Sequence, residues 1–144
     1  MTLTYLNYTS EHGYELTRSH KHDAGLDIRS SESRLLVPGA RHDFATGIHL
    51  EIPAGYEAQV RTRSGMALRD GACVLNAPGT IDSGYTGEVK IILHNPSLDA
   101  VSIKEGDKIA QIVVKKVELP TPILHELLNI ETERGDNGFG STGK

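Results

Sequence analysis

A chain of 144 residues, 38% apolar and 24% charged, has the size of one domain and enough apolar residues for a real core. Its formal net charge of −4 argues against non-specific nucleic-acid binding, which needs clustered Lys and Arg to neutralise phosphates. The lone Cys73 cannot form an internal disulfide, no apolar run approaches membrane-spanning length, and Met1-Thr2-Leu3-Thr4-Tyr5 lacks the basic and apolar blocks of a signal peptide. A soluble intracellular domain that needs no covalent staples is expected.

In chain order, short apolar runs are cut by turn residues at close spacing. Leu3-Thr4-Tyr5-Leu6 reads as a first strand. Ala24-Gly25-Leu26-Asp27-Ile28 reads as a second, with Leu26 and Ile28 on one face and Asp27 on the other. Arg34-Leu35-Leu36-Val37 stops at Pro38-Gly39, and Ile48, Leu50 and Ile52 alternate with His49 and Glu51 before Pro53-Ala54-Gly55. From Tyr56 to Arg63 the alternation resumes: Tyr56, Ala58, Val60 and Thr62 face one way, Glu57, Gln59, Arg61 and Arg63 the other. Ser64 is placed to N-cap a short helix over Met66-Ala67-Leu68-Arg69, and Gly71 to end it.

The stretch from Val74 to Leu93 carries the densest chemistry. Val74-Leu75 meets Pro78-Gly79, Thr80-Ile81-Asp82 meets Ser83-Gly84, and Val89, Ile91 and Leu93 then alternate with Lys90, Ile92 and His94. A hairpin is expected, its tip carrying the Asn76 amide, the Asp82 carboxylate and the Tyr85 phenol. Taken singly, Asp82 before Ser83-Gly84 can be read as closing an Asx-turn, Tyr85 as an ordinary strand aromatic and Asn76 as a turn residue. Val101-Ser102-Ile103 and Lys108 to Val114 flank the turn Lys104-Glu105-Gly106-Asp107, while Leu124 to Ile130 fits a strand and a helical turn equally well. Glycines at 135, 138, 140 and 143 make the end from Arg134 to Lys144 a flexible arm beyond a single domain, 1–133. Many short strands with Gly/Pro punctuation give an all-β sandwich, barrel or jelly roll.

Other patterns carry less. Arg63-Ser64-Gly65, where a strand ends and a helix begins, suits a phosphate, but equally a cap beside a solvated Arg. Gln111 among apolar neighbours needs partners in the protein or in a ligand. The tail's Gly138-Phe139-Gly140-Ser141-Thr142-Gly143-Lys144 matches most of a P-loop, yet the chain ends before the required hydroxyl and no helix follows. A Gly-rich run with hydroxyls, Arg134 and Phe139 can still fold over a polyphosphate and stack on a base. Seven histidines, including His20 and His22, show no structural-zinc spacing.

Together and in order, these segments resemble the trimeric dUTP pyrophosphatases (dUTPases), whose five ordered motifs are all present. They are Ala24 to Ile28, Arg63 to Ala67, Asn76 to Glu88, Gly106 to Ile112, and Arg134 to Gly143. The resemblance implies a distorted jelly roll of the β-clip type with one short helix. It further implies a homotrimer whose three sites lie between subunits and hold dUTP with Mg²⁺. The first, second and fourth motifs would come from one chain, the hairpin from a second, and the C-terminal arm, 134–144, from a third.

By the same resemblance, Asp82 would deprotonate a water that attacks the α-phosphorus, releasing pyrophosphate and leaving dUMP. That lowers dUTP, prevents uracil incorporation into DNA and supplies dUMP for dTMP synthesis. Mg²⁺ would sit mainly on the substrate phosphates, with Asp27 meeting its water shell. Arg63, Ser64, Gly65 and Gln111 would hold phosphates from one side, and Arg134, Gly140, Ser141 and Thr142 from the other. Asn76 and the backbone of Gly79, Thr80 and Ile81 would match uracil's O4 and N3–H, which cytosine reverses. At roughly 1–3 kcal/mol per mismatched contact, two mismatches discriminate on the order of 30-fold to 10⁴-fold. Tyr85 would pack under the deoxyribose, Phe139 would stack on uracil and Lys90 would add a contact. Neither nucleic acid nor membrane is an implied partner.

Two rivals share this fold. A dCTP deaminase would carry a glutamate in the strand after the hairpin, where this chain reads Lys90-Ile91-Ile92-Leu93. A dUTP-binding regulator would not need Asp82 together with an intact tail.

Overall fold

The computed structural model describes residues 3–140. Eleven strands run in order: β1 (Asn7–Ser10), β2 (Leu26–Arg29), β3 (Arg34–Leu36), β4 (Arg41–Phe44), β5 (Ile48–Glu51) and β6 (Tyr56–Arg61). A single π-helical turn (Met66–Asp70) is followed by β7 (Cys73–Val74), β8 (Gly79–Asp82), β9 (Ile91–His94), β10 (Val101–Ile103) and β11 (Lys108–Lys116). They pair as β1-β5, β10-β3, β2-β11-β6-β8 and β4-β9-β7. The architecture is all-β, as the strand punctuation predicts, and of the jelly-roll type that the resemblance implies, with the sheets wrapped around one core rather than closed into a barrel.

The alternations read from the sequence account for that core. Ile48, Leu50 and Ile52 are buried, as are Ala58 and Val60 on β6 and Val89, Ile91 and Leu93 around β9. In the four-stranded sheet the register sets Gln111 opposite both Asp27 and Arg61, Gln59 opposite Thr80, and Glu57 opposite Asp82. Directly opposed residues share a face. One face of this sheet is therefore apolar, with Leu26, Ile28, Ala110, Ile112, Ala58, Val60 and Ile81 all buried. Its other face is a polar diagonal running from Asp27 to Asp82.

Several expectations change. The first strand is Asn7–Ser10, not Leu3 to Leu6, because pairing with β5 selects the segment whose Asn7 amide donates to Glu51 at 2.8 Å. Ser64 does not cap the helical turn. The N-cap is Gly65, with no side-chain cap bond, while Gly71 ends the turn at φ 71°, as expected. The segments flanking Ser83-Gly84 do not form a two-stranded hairpin: β8 pairs with β6, and β9 pairs with β4 and β7. The loop between them instead crosses from one sheet to another. Residues 124–130 form neither strand nor helix. They have no ladder to join, and Leu124, Leu127 and Leu128 stand exposed.

That crossing loop is fastened at its far end by buried polar contacts. The Thr46 hydroxyl donates to the Val89 carbonyl at 2.5 Å and accepts from the Ile48 amide at 3.1 Å. Glu88 accepts from the Thr46 and Gly47 amides at 3.0 and 2.9 Å. Thr46→Val keeps the shape but leaves the Val89 carbonyl and Ile48 amide without this partner. It should lower unfolding free energy by about 1–3 kcal/mol, read by urea denaturation.

Candidate active site

The chemistry-bearing residues gather in two separate open clefts. The first, of about 360 Å³, is lined by Gly25, Asp27, Arg61, Arg63, Ser64, Gly65 and Gln111, among others. Its anchor is Asp27, which is 8% exposed. One carboxylate oxygen accepts from Arg63 Nε at 2.9 Å, and the other lies 2.7 Å from Lys108 Nζ and 3.4 Å from the Ser19 hydroxyl. Burial pushes the Asp27 carboxyl upward, but the Lys108 hydrogen bond and the Arg63 and Lys108 charges together outweigh it and hold it below its ordinary value. Arg63 also donates to the Lys108 carbonyl at 3.3 Å, so its guanidinium is fixed on two sides.

Gln111 enters the same cleft from β11. Its amide donates to the Thr62 carbonyl at 3.1 Å. The side chain packs so tightly on Gly25 that a Cβ there would overlap the Gln111 amide oxygen. The glycine of the first motif is thus needed for the glutamine of the fourth.

The second cleft, of about 350 Å³, includes Thr80, Ile81, Asp82, Tyr85, Glu88 and Lys90 in its lining. Asp82 ends β8, and its carbonyl accepts from the Tyr85 amide at 3.2 Å. No hydrogen bond or ion pair engages its carboxylate among the described residues, so it closes no Asx-turn and is exposed to the cleft. Tyr85 folds onto Gly87, where a Cβ would meet its oxygen at 2.5 Å, and it donates to the Glu88 carbonyl at 3.0 Å. Lys90 pairs with Asp43 at 3.2 Å on the exposed rim. Asn76 stands at the foot of this arch, its amide nitrogen 3.0 Å from where a Cβ on Gly79 would be.

The two clefts do not meet within one chain. From Gln111 to Asp82 the sheet runs two strands across and four residues along β6, about 16 Å in all. Arg134, Phe139 and Gly140 line neither cleft of their own chain: Arg134 Nε donates to the Asn137 carbonyl at 3.0 Å, and Phe139 is fully exposed. Ser141 and Thr142 lie outside the described residues.

Sequence reasoning missed Lys108 as a partner of Asp27. Simple alternation puts Lys108 on the core face with Ala110 and Ile112, but the register shifts between Lys108 and Ala110. A bulge of this kind re-aims one side chain, here onto Asp27. Asp43 and His49 carry no local signal, and Glu88 stands out only as the end of the third motif, since the partners of all three lie far away in sequence.

An all-β jelly roll with two unjoined polar clefts is the class that the fold and the site define. A dUTPase family model matches residues 12–143. The deoxyuridine 5'-triphosphate nucleotidohydrolase of Clostridium kluyveri is 48% identical over 126 residues, covering 87% of each chain. That of Zymomonas mobilis is 50% identical over 121 residues, covering 83% of this chain and 82% of the relative. Among solved structures, a mutant dUTPase of Staphylococcus bacteriophage 80alpha with dUpNHpp superposes with a TM-score of 0.90 at 27% identity, covering 99% of this chain and 100% of that one. A mutant dUTPase of phage phi11, described for its coordination of a structural Mg(II) ion, gives 0.80 at 27% identity over 88% of this chain and 99% of that one. The chain belongs to the dUTPase family.

Asp27 gives a direct test of the first cleft. Its folded-state pKa is depressed, so its stabilisation is present above the ordinary value of 3.8 and is lost as pH falls through the depressed folded value. Asp27→Asn should therefore cost about 1–3 kcal/mol near pH 7, because it leaves two half-buried cations without their carboxylate. In denaturation curves taken against pH, the gap to wild type should narrow below pH 3.8.

Proposed function

We propose that the family activity, hydrolysis of dUTP to dUMP and pyrophosphate, is carried out here at a site assembled from clefts of different copies of the chain. The observation that carries this reading is the separation of Asp82 from Gln111 and Arg63. Neighbouring phosphates of a triphosphate are joined through a single oxygen, so groups about 16 Å apart cannot act on adjacent ones. A second copy that brings its Asp82 cleft against the Asp27–Arg63–Gln111 cleft removes the difficulty, and a homotrimer closes three such contacts by symmetry. Leu119, Ile123, Leu124, Leu127, Leu128 and Ile130 are all exposed, which supports a domain ending at 133 with an arm, 134–144, leaving its own subunit. Arg134, Phe139, Gly140, Ser141 and Thr142 would then cover a neighbour's substrate.

In the assembled site, Arg63, Ser64, Gly65 and Gln111 bind the phosphates. The Asp27–Lys108 pair keeps the Arg63 guanidinium oriented before substrate arrives. Asp82 accepts the proton of a water whose oxygen bonds to the α-phosphorus. The bond from that phosphorus to the α,β-bridging oxygen breaks, and pyrophosphate leaves with the electron pair. A carboxylate is a weak base near neutrality, so alignment and charge neutralisation supply most of the acceleration. Asn76, Gly79, Thr80 and Ile81 read the uracil edge, and Tyr85 packs beneath the sugar, with Lys90 at the rim.

Among the described residues no three His, Cys, Asp or Glu side chains converge as an ion cage. Asp27, which lines the first cleft, would meet the water shell of a Mg²⁺ carried mainly by the substrate phosphates. When bound, Mg²⁺ neutralises phosphate charge. No helix among the described residues is long and apolar enough to cross a membrane.

Pyrophosphate release measured across dUTP, dTTP, dCTP and UTP should be confined to dUTP. Asp82→Asn should keep dUTP affinity within a few-fold while kcat falls about 10²- to 10⁴-fold. Unchanged kcat would remove Asp82 from the reaction.

A further inference from the structure

His49 lies on β5, across from Thr9 on β1, and bridges to Glu88. Its Nδ1 is 2.9 Å from the Thr86 carbonyl oxygen, and its Nε2 is 2.9 Å from a Glu11 carboxylate oxygen. Neither partner can donate. A neutral imidazole carries one N–H and would leave one of these contacts as lone pair against lone pair, so only the imidazolium satisfies both. Thr86 sits between Tyr85 and Gly87, and the Tyr85 ring rests on Gly87. A bond to the Thr86 carbonyl therefore fixes the peptide that aims the phenol.

We propose that His49 is a positioning residue for substrate binding: as an imidazolium it ties the Thr86 carbonyl to Glu11 and so holds Tyr85 in its cleft. This rests on the reading that Tyr85 packs beneath the deoxyribose. The charged groups around the ring come from three elements. Glu11 follows β1, Glu88 and Lys90 both precede β9, and Lys90 is itself paired with Asp43 of β4. A second imidazole, His12, packs at Gly47. The Thr86 carbonyl first, then Glu11, push the His49 pKa above its ordinary 6.5, against a smaller opposing effect of desolvation. Because the folded value is raised, the clamp is fully present below pH 6.5 and is lost as pH rises through the folded pKa.

The first measurement needs no substrate. NMR titration of the His49 ring in the wild-type protein should give a pKa above 6.5, with the Thr86 and Gly87 amides shifting over the same pH range. Glu11→Gln, which removes the carboxylate and keeps the ring, should lower that pKa. The second compares KM for dUTP across pH. At pH 6, His49→Gln should raise KM about 2- to 10-fold with kcat within about twofold, and the ratio to wild type should fall toward one at high pH. Glu11→Gln should move the wild-type transition to lower pH. A His49 pKa at or below 6.5, or a KM ratio independent of pH, overturns the proposal. If dUTP were not the substrate, turnover would vanish in every variant while the ring titration still reported on the clamp.

Discussion

The hydrogen-bond register of β6 sets how far apart the two polar clefts of this molecule lie. One end of the strand sets Arg61 against Gln111 of β11, and the other sets Glu57 against Asp82 of β8. Both pairings are enforced by the opposite face, where Ala58, Val60, Ile81 and Ile112 fill the core. A slip of one residue would turn every polar side chain of the sheet inward, so the core cannot tolerate a different alignment. The separation of the Arg63–Gln111 cleft from the Asp82 carboxylate is thus a consequence of packing, and one chain has no means of closing it.

The Asp27 cluster follows from the same sheet. A buried carboxylate is costly by itself, and two cations with hydrogen bonds are what make it tolerable. Such a pair adds little net stability compared with apolar residues, but it holds Arg63 in one orientation without substrate. Gly25 acts likewise for Gln111, since any side chain there would displace the glutamine amide. Both features spend packing freedom on geometry that a phosphate would otherwise have to impose. The second cleft is ordered differently, through a crossing loop pinned at Thr46, Glu88 and His49.

Much of this was legible in the sequence. Period-2 alternation found the buried faces of β5, β6 and β9, and the ordered motifs brought forward Arg63, Gln111 and Asp82. Non-local pairing was not legible. Val89 to Leu93 has the pattern of a strand, but nothing local says that its partners are β4 and β7 rather than β8. Strict alternation misdirected Lys108, because a bulge changes the count without leaving a trace in residue type. His49 reads as an ordinary outward residue of β5 until Thr86 and Glu11 are seen on either side of its ring. Residues 124–130 have apolar side chains but no partner within the chain, so neither periodicity could settle them.

The claim that the site is shared between copies is tested most directly by mixing subunits. Asp82→Ala lacks the carboxylate cleft and Gln111→Ala lacks a phosphate contact, so each alone should be nearly inactive. Unfolded together and refolded as mixed trimers, they should recover pyrophosphate release from dUTP up to about a quarter of wild type, because random assembly pairs intact halves that often. Activity no greater than the sum of the two separate variants would mean that each chain carries a whole site.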